Sequence, residues 1–75
     1  MNYTVYKHIS PSGKIYVGIT KQKPEYRWNN GKNYRKDQIL FHRAIQKYGW
    51  DNFTHIILYT GLNEKDAKKY RDKFN

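Results

Sequence analysis

The chain has 75 residues, enough for one domain over 1–75, because a chain of this size buries only roughly 60% of its unfolded surface. Fifteen Lys and Arg against six Asp and Glu leave a net charge of +9, and there is no Cys. A disulfide scaffold, a thiolate zinc site and a cysteine nucleophile are therefore excluded together, and a polyanion becomes the natural partner class.

The apolar fraction is only 37%, but eight Tyr, two Trp and three Phe supply large rings for a small core. No apolar run approaches the ~18 residues that cross a bilayer, and the opening MNYTVYKHIS lacks the apolar core of a signal peptide. A membrane surface would call for an amphipathic helix with its basic residues on one face, whereas here they are spread. The expectation is a cytoplasmic protein with no membrane association.

Residues 3–9 (YTVYKHI) and 14–20 (KIYVGIT) are rich in β-branched and aromatic types, and Ser10-Pro11-Ser12-Gly13 between them is a turn, so the first element is a β-hairpin. Lys21 to Pro24 forms a loop, and Pro24 suits the first turn of a short helix carrying Tyr26, Arg27 and Trp28, which ends in Asn29-Asn30-Gly31-Lys32-Asn33. Asp37 is placed to cap a second helix whose core face is Leu40, Phe41, Ala44, Ile45 and Tyr48, with Gly49 as its stop. Residues 53–59 read as a third strand that Gly61 breaks, and Asn63 caps a last helix through about Phe74. The predicted fold is α+β, a three-stranded antiparallel sheet flanked by helices in the order β-β-α-α-β-α.

Two short aromatic motifs lie on the hairpin strands, Thr4-Val5-Tyr6 and Tyr16-Val17-Gly18, and the next helix carries Arg27-Trp28. Further on stands the stretch from Phe41 to Phe53, FHRAIQKYGWDNF. In order and spacing these resemble the GIY-YIG nucleases, named for two such motifs on adjacent strands. The first motif has drifted at two of its three positions while keeping its Tyr; the second is nearly intact. The resemblance spans essentially the whole chain.

Phosphodiester hydrolysis needs a base to activate water, positive charge on the phosphoryl oxygens, and usually Mg²⁺ held by a carboxylate. Tyr6 and Tyr16 are on neighbouring strands and can pair across the hairpin on one face. An unperturbed Tyr, with pKa ~10, is a poor base, so cations such as Lys7, Lys14 and Arg27 are needed beside it. The resemblance implies that Tyr6 or Tyr16 activates water and that Arg27 clamps the scissile phosphate. His42 falls where members often carry a Tyr or His, which implies a second proton-transfer group. Against these stand ordinary roles: a strand Tyr is usually a half-buried packing residue, and Arg27 a solvated one. His8 and His55 read as strand surface or edge residues. Lys32, Arg35, Lys36, Lys47, Lys65, Lys68, Lys69 and Lys73 are solvated faces or phosphate contacts.

The resemblance also implies a single Mg²⁺ (or Mn²⁺) bound by a Glu on the last helix, and here the chain departs from the pattern. One register puts Arg71 at that position; the other puts Asp72 there, as a shorter carboxylate. At ~100° per residue, Arg71 falls within ~40° of the inward residue Ala67 and Asp72 ~140° away, which favours Arg71. An Arg repels a cation and predicts binding without efficient cleavage; Asp72 is the one nearby candidate metal ligand. Glu64 is a distant alternative, better explained as a first-turn residue complementing the helix dipole.

The sequence thus supports a DNA endonuclease domain hydrolysing double-stranded DNA with one divalent metal. It leaves open a metal-deficient DNA-binding module of the same fold, or a basic protein-interaction domain. With no separate DNA-reading domain within these residues, little base preference is expected.

Overall fold

The computed structural model describes residues 2–32, 34 and 38–74, the last without its side chain. Its elements are β1 (Tyr3–Ile9), β2 (Ile15–Thr20), α1 (Pro24–Trp28), α2 (Ile39–Tyr48), β3 (Thr54–Leu62) and α3 (Glu64–Phe74), with 3₁₀ turns at Asn29–Gly31 and Trp50–Asn52. This is the α+β architecture read from the sequence, a three-stranded antiparallel sheet in the order β2-β1-β3 with helices packed on it. Among the described residues no helix is long and apolar enough to cross a membrane.

The hairpin closes where the turn chemistry puts it. Gly13 adopts φ +89 and its N–H donates to the Ser10 carbonyl at 2.8 Å, while Ser10 N–H donates to the Lys14 carbonyl at 2.9 Å. Gly49 ends α2, donating to the Ile45 carbonyl at 2.8 Å with φ +86. Asn63 Oδ1 accepts the Asp66 N–H at 2.8 Å and caps α3 as expected. The proposed cap Asp37 lies outside the described residues, as do Asn33, Arg35 and Lys36.

Side chains alternate across the sheet and divide it into two faces. On one, Tyr3 and Val5 pack against Ala67 of α3, with Val17, Ile19, Leu58, Leu62 and Tyr70 around them. On the other, Tyr34, Phe41 and Phe53 form a core flanked by Tyr16, Trp28, Ala44, Ile45, Tyr48 and Trp50. Tyr6 and His8 point to this second face: His8 stacks on Phe41 at 5.1 Å and Tyr6 meets Trp28 edge-on at 5.5 Å.

Two sequence expectations need correction here. Gly61 does not end β3. Between Tyr3↔Leu62 and Val5↔Tyr59 three steps of β3 span two of β1, and Gly61, at φ +71, lies in that bulge, so its conformational freedom bends the strand without stopping it. Leu40, assigned to the core face of α2, is 62% exposed. It lies in the first turn beside exposed Ile39, and the helix turns Phe41 inward instead.

Candidate functional site

The register fixes what the sequence left open. Tyr6 lies opposite Gly18, and Tyr16 lies opposite His8, so the two motif tyrosines share a face but are offset by one pair of strand positions. Gly18 is the counterpart of the Tyr6 ring: a Cβ there would stand 2.6 Å from the Tyr6 hydroxyl oxygen. The glycine of the second motif thus lets the phenol of the first lie across β2. Tyr6 is buried at 2% exposure, while Tyr16 is half-buried and stacks on Phe41 at 4.4 Å.

Arg27 is carried by α1, and its guanidinium lies over the Tyr34 ring at 4.6 Å. Tyr34 in turn donates a hydrogen bond to the Tyr6 hydroxyl at 3.2 Å. Tyr6 and Arg27 are thereby joined through a residue that the sequence reading passed over. Tyr34 sits in a polar, basic stretch with no periodicity to announce it, yet it is 1% exposed. Burial, followed by the neighbouring Tyr6, pushes its hydroxyl pKa well above the usual tyrosine range, so it remains a neutral phenol.

His8, expected at the strand surface or edge, needs correction, because it lies on the central strand β1 and points inward; His55 does lie on the edge strand β3 and is half-buried. His8 is 1% exposed and enclosed by the rings of Tyr6, Trp28, Tyr34, Phe41, Trp50 and His55 at 4.9–5.7 Å. The rings come from α1, α2 and the connections as well as β1 and β3, so their convergence is a tertiary event. Its Nδ1 lies 2.8 Å from His55 Nδ1 and its Nε2 3.1 Å from the Tyr34 hydroxyl; His55 Nε2 lies 3.1 Å from the Trp50 carbonyl oxygen. Burial first, then the positive charges of His55 and Arg27, lower the His8 pKa to about 3.

Tyr16 borders a cleft of about 390 Å³ with Lys14, Gln38, Ile39, Leu40 and Phe41, and the Lys14 amine is 5.6 Å from the Tyr16 ring centroid. His42, one residue beyond Phe41, borders a different cleft of about 420 Å³ with Asn30, Gly31, Lys32 and Ile45. Asn29, Asn30 and Gly31 all have positive φ there, and Gly31 backs directly onto Trp50 and Ile45. His42 Nδ1 is buried without a protein hydrogen-bond partner.

Asp72 is not brought to this face. It belongs to α3, whose Ala67 packs with Tyr3 and Val5 and whose Tyr70 stacks on Tyr59 at 4.2 Å, so the sheet lies between it and Tyr6. Its Oδ1 accepts a hydrogen bond from Arg71 Nε at 3.2 Å in an exposed ion pair. Arg71 follows Ala67 inward more closely than Asp72 does, their side chains being 35% and 68% exposed. Glu64 accepts hydrogen bonds from Lys68 at 2.7 Å and Tyr3 at 3.1 Å; these two bonds, Lys68 first, lower its pKa. Among the described residues no group of three or more His, Asp or Glu is arranged to hold a metal ion.

The site that the residues build is thus an aromatic face with a hydrogen-bonded Tyr6, Tyr34, His8 and His55 interior, a guanidinium at its edge, and two clefts bordered by Tyr16 with Lys14 and by His42 with Lys32. Comparison of the chain with protein-family models, curated proteins and solved structures finds no significant match to any.

Proposed function

We propose that this chain is a DNA-directed domain of the GIY-YIG type that grips the sugar-phosphate backbone and hydrolyses it as a divalent-metal-dependent endonuclease. The observation that carries this reading is the common face: both motif tyrosines and the helix bearing Arg27 belong to one side of the sheet, with Tyr34 joining Tyr6 to Arg27. The net charge of +9 supports it, since cations over the whole surface favour a polyanion through counterion release.

In this reading Arg27 offsets charge on the phosphoryl oxygens. Tyr16, with the Lys14 amine nearby, is better placed than buried Tyr6 to meet a water molecule. His42 provides a second proton-transfer group from the neighbouring cleft. Double-stranded DNA is the substrate class, Mg²⁺ or Mn²⁺ the metal, and the cytoplasm the compatible setting.

A second reading is favoured by one observation, the position of Asp72 on the far side of the sheet in a pair with Arg71. In that reading the same face holds DNA without cutting it. Supercoiled plasmid incubated with the protein in Mg²⁺ or Mn²⁺ separates the two. Nicking that an Arg27→Ala substitution reduces at least 100-fold supports hydrolysis, on the scale of losing a transition-state charge contact. Affinity that falls steeply with salt, without nicking by either protein, supports the binding module. Salt-insensitive, weak binding counts against both.

A further inference from the structure

The ring nitrogens of His8 and His55 and the hydroxyls of Tyr34 and Tyr6 form one continuous chain, and its proton content can be counted. A carbonyl has no hydrogen to give, so His55 Nε2 donates to Trp50 O at 3.1 Å. Tyr34 donates its one hydroxyl proton to Tyr6 at 3.2 Å, which leaves only lone pairs toward His8 Nε2 at 3.1 Å, so that nitrogen is protonated. Two bare nitrogens 2.8 Å apart would repel, so a proton also lies between the Nδ1 atoms. Four ring nitrogens then carry three protons, one more than two neutral imidazoles hold. In this arrangement, with Tyr34 donating to Tyr6, the pair carries one positive charge.

We infer that the buried His8 and His55 pair is a proton store that sets the direction of the Tyr6 hydroxyl. When the pair gives its extra proton to solvent, one consistent arrangement remains. His55 Nε2 still donates to Trp50, His8 donates from Nδ1 to His55 Nδ1, Tyr34 turns to donate to His8 Nε2, and Tyr6 turns to donate to Tyr34. One proton leaves His8 Nε2, the proton shared between the Nδ1 atoms settles on His8, two hydroxyls rotate, and the heavy atoms stay in place. Tyr6 changes from acceptor to donor within the chain, and a positive charge disappears beside the Arg27 and Tyr34 pair.

The groups facing the pair allow this. Arg27 approaches from α1, Tyr6 and Tyr34 lie in the chain itself, and Tyr16 stands opposite His8 on β2. The other neighbours are the uncharged rings of Trp28, Phe41, Trp50 and Phe53. Among the described residues neither imidazole is ion-paired to a carboxylate.

The inference concerns a residue of the proposed nuclease site, but its test uses no cleavage, so the two can fail separately. Long-range ¹H–¹⁵N correlations of the histidines and the ¹³Cζ shift of Tyr6 are followed by NMR across about pH 5 to 8, the range in which imidazoles change charge. The expected result is a loss of one ring proton from the pair on going to high pH, with the Tyr6 ¹³Cζ signal moving in step. His55→Gln is expected to make that signal independent of pH; Tyr34→Phe is expected to uncouple it from histidines that still titrate. An unchanged proton count across the range, or a Tyr6 signal that still follows pH in His55→Gln, overturns the inference. Should Tyr34→Phe fail to fold, the wild-type chain and His55→Gln decide the matter.

Discussion

The two faces of one three-stranded sheet are built on different principles. Against α3, Tyr3, Val5 and Ala67 meet Val17, Ile19, Leu58, Leu62 and Tyr70, largely apolar groups held by packing, with the Tyr3 hydroxyl reaching Glu64. Against α1 and α2, the core is aromatic and threaded with polar atoms: two phenols and two imidazoles, each satisfied by the next. The first face depends on filling space. The second works only when ring orientation and proton position agree, because a buried polar atom that loses its partner costs about 1–3 kcal/mol. Stability resides on both, but the buried network of phenols and imidazoles resides on one.

The largest test of this contrast is Phe41→Ala. Phe41 touches Tyr16, His8, Tyr34, Trp50 and Phe53, so its removal opens the aromatic face from several elements at once. A loss of roughly 3–5 kcal/mol in urea unfolding is expected, enough to unfold much of a small domain. A loss smaller than that of Val5→Ala would place the main support on the α3 side instead.

Acid sharpens the comparison. His8 titrates at about 3 in the folded chain against an ordinary 6.5, so its folded form binds fewer protons than its unfolded form between those values. The stabilising contribution is complete above 6.5 and is lost as pH falls toward 3; stability at pH 5 is expected to be about 2 kcal/mol lower than at pH 7.5. Urea midpoints at the two pH values measure it, and a flat profile would mean that His8 is not enclosed as described. The smallest effect belongs to the outer surface of α3. Lys68→Ala removes an exposed pair with Glu64 and should leave the unfolding midpoint unchanged within error.

How much was legible in the sequence follows the same division. The hairpin could be read from Ser10-Pro11-Ser12-Gly13, the end of α2 from Gly49 and the start of α3 from Asn63, because each is a local statement about φ or a cap. That Tyr6 and Tyr16 could share a face was an expectation; that they do, and with what offset, depends on the register of β1 with β2, which sequence does not fix. The fates of His8, Tyr34 and His55 were hidden for a stronger reason. Their partners are 26 and 47 residues apart in sequence, and no periodicity in a polar stretch such as NGKNYRKD announces that its Tyr is core. The position of Asp72 was hidden because helix geometry tells which side of α3 is inward, but not which face of the sheet that side meets.

The space left by Gly18 bears on how the hairpin finds its alignment. A slip of one residue turns every side chain to the wrong face and is rejected by hydrophobicity alone. A slip of two preserves the alternation, and the pattern of apolar residues is nearly blind to it. In such a slipped hairpin the Tyr6 ring would meet Tyr16 or Thr20, each bearing a Cβ, where the native pairing offers it a glycine. One missing methyl thus acts as a keyway, admitting the phenol at a single setting and giving the strands an alignment mark that composition cannot supply.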